Sequence, residues 1–178
     1  MPNTGTGSEK IYYPLYDSIT LGAADLTATL FQSPIGQSSK TLYDTNMVLA
    51  GQLQQPQTFD LMGIWIAALP GATAANVIAL SKGAMTIVVG SKPANEILLA
   101  LLTSGGGLKV QTAQSNAAVA APIYANFGQE DSRNLYTLRY PIKINAGEHF
   151  RAELQWPVAP GALKFWIGFE GSLGRAIQ

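Results

Sequence analysis

The sequence predicts an all-β fold in which antiparallel strands stack as a two-layer sandwich or barrel, and three observations predict it. First, Leu135–Ile144 and His149–Trp156 are alternating runs on either side of the turn NAGE, and LKFWIGFEG follows a second turn, PVAPGA, so the last third reads as a three-stranded meander. Second, the run starting at Phe59 is apolar on both faces, as a central or covered strand of a layered structure must be. Third, no helical pattern recurs between strands, which excludes a parallel α/β sheet.

In chain order, residues 1–10 are rich in Gly, Ser, Thr and Asn and are expected to form a flexible arm. IYYPLYDSITL carries three tyrosines and a proline, which suits an extended segment lying over another surface better than a central strand. LTATLFQ (Leu26–Gln32) alternates and reads as a strand, and PIGQSSK as a loop. A Gly-, Gln- and Pro-containing lead-in precedes the Phe59 run, where Phe59, Leu61, Gly63, Trp65 and Ala67 share one face and Asp60, Met62, Ile64 and Ile66 the other. A short helix is expected within Ala72–Leu80 and a β-branched strand at Ala84–Ser91. In KPANEILLALLTSGGG, Asn95 is read as the cap of a two-turn helix that turns Ile97, Leu98, Leu101 and Leu102 inward, with a buried strand as the competing reading. LKVQTA is read as a strand and AAPIYANFGQEDS as a long connection. Pro141 marks an edge, a bulge or a break in the Leu135–Ile144 strand.

At 178 residues, one domain is expected. Charged residues are 12% of the chain, half the usual ~25%, and they cancel to zero. A surface so poor in charge is weakly protected against self-association, which points to assembly, with a merely neutral, Ala-rich globule as the alternative reading. Without net positive charge or a Lys/Arg run, direct nucleic-acid binding is not expected. The absence of cysteine removes disulfides, zinc thiolates and thiol nucleophiles. MPNTGTGSEK lacks the layout of a signal peptide, and the apolar stretch Gly63–Leu80 is broken by Pro70, Gly71 and Asn76. ILLALL is far shorter than the ~20 residues of a membrane helix, so no membrane insertion is expected.

The single histidine, His149, sits among Glu148, Arg151 and Glu153. Strand periodicity puts His149, Arg151, Glu153 and Gln155 on one side and Phe150, Ala152, Leu154 and Trp156 on the other, the pattern of a solvated or interface-facing strand. One histidine excludes a His-rich metal site and leaves a carboxylate-only calcium site open. GQSSKT lacks the glycine that a phosphate-binding loop needs before its lysine, and no G-x-S-x-G elbow occurs. No catalytic, cofactor-binding or metal residue is assigned. Trp156 shares its strand's apolar face and is expected in the core. Trp166 falls on the opposite face from Leu163, Phe165, Ile167 and Phe169, and is the leading candidate for contact with a neighbouring subunit, with coverage by its own loops as the alternative.

The stretches Asp44–Ile66, Tyr140–Trp156 and Leu163–Gln178 resemble the single jelly-roll capsid proteins of tailless icosahedral bacteriophages, in their Gly-Gln-Pro lead-in, their late turn and their closing strand with a G-x-L-x-R tail. The resemblance implies a jelly-roll sandwich of two four-stranded sheets over residues 11–178, with one or two short helices in its connecting loops. It also implies a non-enzymatic capsid subunit that forms an icosahedral shell through lateral contacts. Tyr12, Tyr13, Tyr16, Trp166 and Arg151 become the candidate interface residues. Expected partners are further copies of the chain and a second capsid protein. The arm MPNTGTGSEK, with one lysine and one glutamate, departs from the basic arms of coat proteins that touch RNA, so the inner surface would meet an internal membrane, another capsid protein or nothing. Two rival readings remain: a carbohydrate-binding β-sandwich of a spike or adhesin, and a hydrolase using His149.

Overall fold

The computed structural model of the chain describes residues 8–68, 72–102, 109–111, 124–126 and 135–176. Strand β1 (Ser8–Leu21) is followed by β2 (Thr27–Leu30), β3 (Thr58–Ala68), helix α1 (Ala74–Ser81), β4 (Ala84–Val89), β5 (Lys92–Leu98) and a single helical turn, α2 (Leu99–Leu102). Next come β6 (Lys109–Gln111) and β7 (Tyr124–Asn126), which form a separate two-stranded ladder, then β8 (Tyr136–Ile144), β9 (Phe150–Gln155) and β10 (Leu163–Ala176).

Two antiparallel four-stranded sheets result, ordered β1-β10-β3-β8 and β2-β9-β4-β5. Only the β4–β5 hairpin stays within one sheet, and every other link between consecutive sandwich strands crosses to the opposite layer. That double-sheet order is a jelly roll, as the fold expectation had it. The expected meander is corrected: β9 pairs with β2 and β4, while β8 and β10 both pair with β3 in the other sheet. Short turns join these strands, yet each turn changes layer, because the apolar face of each run is buried only against the opposite sheet.

The expected arm over residues 1–10 lies outside the described residues as far as residue 7, and Ser8 already opens β1. β1 is an edge strand, where Pro14 removes no ladder bond. β8 forms the other edge of the same sheet, and its register jumps from Ile142 opposite Leu61 to Thr137 opposite Gly63. Pro141 therefore lies in a wide bulge on an edge.

The alternation read along β3 fails at Met62. Leu61 pairs with Gly171 and Gly63 with Glu170, so Met62 is an extra residue opposite no partner on β10. A bulge inverts the faces beyond it. Phe59 and Leu61 point into the core before it, Ile64 and Ile66 after it, and Trp65 turns outward.

The capped helix expected from Asn95 is a strand instead. Gly90, with φ 62°, turns the chain so that Lys92–Leu98 ladders along β4. That ladder replaces a two-turn helix too short to hold itself, since isolated helices below ~12–15 residues are marginal. Of the four leucine and isoleucine residues expected inside, Ile97 and Leu102 are buried, whereas Leu98 and Leu101 are exposed. α1 matches the expected short helix, with Thr73 accepting from the Asn76 N–H at 3.2 Å as its cap. Of LKVQTA, only Lys109–Gln111 is described, as β6; β7 interrupts the connection expected after it, and the rest of both segments lies outside the described residues.

The layers meet through large apolar side chains. Phe31 stacks on Phe169 at 4.6 Å and tilts against Phe150 at 5.5 Å, tying the end of β2 to β10 and β9. Trp156 is buried, as expected, edge-on to Phe165 at 6.2 Å, and its indole N–H donates to the Leu80 carbonyl at 2.9 Å. Gly83 leaves the room this indole needs, because a Cβ there would lie 2.2 Å from Nε1. Such aromatic pairs add ~0.5–1.5 kcal/mol each beyond their burial.

Candidate assembly surface

The outer face of the β1-β10-β3-β8 sheet is built from cross-strand pairs over small residues. Trp65 lies across Gly168, where a Cβ would come within 1.9 Å of the indole, and its Nε1 donates to Glu170 Oε1 at 2.7 Å. Tyr12 donates its hydroxyl to the other oxygen of the same carboxylate. That bond to Glu170, with partial burial and the charge of Glu170, pushes the Tyr12 hydroxyl up to about 12. Lys10 reaches Asp60 at 2.7 Å. Apart from its hydroxyl, the Tyr12 ring is left to solvent, 71% exposed.

One end of this face is covered by the loop between β2 and β3, residues 31–57. Asn46 lies along the free edge of β1 like a short strand: its side chain accepts from the Tyr16 N–H at 2.9 Å and donates to the Pro14 carbonyl at 2.6 Å. Its backbone N–H donates to the Tyr16 carbonyl at 3.2 Å. Open strand edges invite pairing with other chains, and the loop seals this part. The Tyr16 hydroxyl donates to the Leu42 carbonyl at 2.6 Å, and burial, then the nearby Tyr13 hydroxyl, raises its pKa. Beneath the loop, Asp17 is fully buried, paired with Lys40 Nζ at 2.5 Å and accepting the Phe31 N–H at 2.5 Å. Burial raises the Asp17 carboxyl above the ordinary carboxylate value, against the opposing pull of Lys40 and the Phe31 amide. Lys164 bonds Asp44, and that ammonium, followed by the Thr41 N–H, holds the Asp44 carboxyl well below the usual range.

The candidate interface residues separate on this frame. Tyr12 and Tyr16 lie on the outer side of β1, whereas Tyr13 packs against the core. Trp166 is on the outward face of β10, as its periodicity requires, but it is only 8% exposed. Tyr43 stands edge-on to it at 5.2 Å, its indole N–H donates to the Tyr43 carbonyl at 3.0 Å, and Lys164 lies 5.1 Å from its ring. The alternative weighed for Trp166, coverage by its own loop, is the one realised, and Leu42 and Tyr43 take the exposed position above it. Arg151 sits on the opposite sheet, bonded to Glu153 at 2.6 Å.

His149 lies just before β9 with an exposed side chain, and its imidazole meets the Gln52 amide at 2.5 Å. Among the described residues it has no carboxylate or hydroxyl hydrogen-bond partner, and no three His, Asp or Glu side chains gather as a metal site. No helix among those residues is long and apolar enough to cross a membrane.

The strand periodicity did not single out Leu42, Tyr43 and Val48 of the covering loop, or Tyr140 of the β8 bulge, all of them exposed. Leu42, Tyr43 and Val48 show in the sequence only as large apolar residues in a segment otherwise composed as a loop, and Tyr140 only as the neighbour of Pro141. No family model, curated protein or solved structure matches this chain.

Proposed function

We propose that the chain is a non-enzymatic virion structural protein, a jelly-roll capsid subunit that builds an icosahedral shell through repeated side-to-side contacts. The observation that carries this reading is a jelly roll whose weakly charged exterior leaves large apolar side chains, among them Tyr12, Leu42, Tyr43, Leu98 and Tyr140, in contact with solvent in the single subunit. Low charge lowers the desolvation cost of each contact, and many modest contacts add up through effective concentration. The partners in this reading are copies of the same chain and a second capsid protein, with an internal membrane or no further layer on the inner side. The carbohydrate-binding rival requires coplanar aromatics on one exposed surface, and it is disfavoured because Trp156 and Trp166 are both buried and edge-on to their ring neighbours.

Mass photometry and negative-stain microscopy of the purified chain, alone and across salt and divalent-ion conditions, test the reading. Closed particles of uniform diameter are expected. A strict monomer at high concentration in every condition overturns it.

A further inference from the structure

A cleft of about 470 Å³ opens beside the covering loop, between β1, the end of β2 and the start of β10. Its size falls within the ~300–1,000 Å³ of small-molecule sites, and all but one of the residues lining it carry a polar or charged side chain. Ile19 is the one aliphatic side chain lining it. The rest is hydroxyl, amide, ammonium and carboxylate.

The hydrogen-bonding capacity of these walls is unevenly engaged. Asp44 accepts from Lys164, Ser18 and both the N–H and hydroxyl of Thr41, so its carboxylate is fully occupied. Asp17, behind the wall, is buried and bonded to Lys40 and Phe31. Lys40 uses one of its three ammonium donors on Asp17. The hydroxyls of Thr20, Thr29, Ser33, Ser38 and Ser39 have no partner among the described residues. Ser38 and Ser39 are consecutive left-handed residues, φ 53° and 60°, and their amides likewise have no partner among the described residues. The hydroxyls can donate or accept, whereas the remaining Lys40 N–H groups and the Ser38 and Ser39 amides can only donate, so a ligand that engages them must bring oxygen acceptors. A bare ion would leave most of the volume to water, given that one water accounts for ~30 Å³.

We propose that this cleft binds an acidic, polyhydroxylated small molecule: a sugar bearing a phosphate, sulfate or carboxylate, its oxyanion on the Lys40 and Lys164 side and its hydroxyls on the serine and threonine walls. The same chemistry occurs in free sugars and along anionic polysaccharides.

Isothermal titration calorimetry of the full chain with glucose 6-phosphate, glucose, inorganic phosphate and dextran sulfate tests the proposal. Glucose 6-phosphate is expected to bind more tightly than glucose or phosphate alone. Tighter binding still of dextran sulfate assigns a polymer-borne ligand, and weaker binding a free one. The Ser33→Ala/Ser38→Ala double variant, which removes only wall hydroxyls, is expected to weaken glucose 6-phosphate about tenfold. Lys164→Gln, with its fold checked by circular dichroism, is expected to do the same. No heat from glucose 6-phosphate, equal binding of glucose, or binding unchanged in both variants overturns the proposal.

Discussion

Replacing Lys40 with methionine isolates the buried charge beneath the covering loop. Asp17 is fully buried, and Lys40, 2.5 Å away, is the cation that neutralises it. Removing one partner of a buried pair costs ~3–5 kcal/mol, because the remaining charge is uncompensated. The Lys40 side chain retains 18% exposure, so water reaches the site and the lower end, about 3 kcal/mol, is expected. For a domain of this size that lowers Tm by about 6–12 °C. The pH dependence follows from the Asp17 carboxyl, whose pKa burial raises above the ordinary carboxylate value. A group raised on folding contributes stability that is complete below its unfolded pKa and is lost as pH rises through the folded value. The hydrogen bond and charge of Lys40 oppose that rise most strongly. Without it the folded value moves higher, and the proton that Asp17 then retains neutralises the site in acid. Urea unfolding of Lys40→Met at about pH 4.5 and about pH 8 should therefore show the larger loss at the higher pH. Adding Asp17→Asn, which removes the charge and keeps an acceptor for the Phe31 N–H, should recover most of the loss. Equal losses at both pH values, or no recovery in the double variant, would refute this account of the pair.

Glu170→Gln removes the carboxylate that raises Tyr12, and ultraviolet titration should show the most alkaline phenolate step fall from about 12 toward 10.0. Asn46→Ala strips the side-chain bonds at 2.9 and 2.6 Å from the β1 edge. It should cost ~1–3 kcal/mol, visible as faster hydrogen exchange at the Tyr16 amide and a greater tendency to aggregate. Tyr43→Ala removes the ring that covers Trp166, with an expected cost of ~0.5–1.5 kcal/mol and a red shift of tryptophan emission.

Much of the fold was legible because burial on one face imposes a period of two. The in–out pattern of β9, with Phe150, Ala152 and Leu154 inside, follows the sequence residue by residue, and so does that of β10 from Leu163 to Phe169. The prolines also spoke locally: Pro14 lies on an edge and Pro141 in a bulge because neither can donate to a ladder. What stayed hidden depends on distant partners. The bulge at Met62 has no composition of its own, and only the mismatch with β10 reveals it. β5 is strand because β4 lies beside it, although its leucine-rich end also satisfies a helical period. The candidate surface was legible only in part: periodicity placed Trp166 outward, but nothing local to β10 indicates that Tyr43, more than a hundred residues earlier, closes over it.

The alternation of strands between layers has a mechanical consequence. A single cleavage within residues 31–57 yields an amino-terminal fragment that supplies one strand to each layer, β1 and β2, both still hydrogen-bonded to strands of the remaining piece. Neither fragment owns a complete sheet, so the pieces stay dovetailed, and the nicked molecule keeps its outline until both halves unfold together.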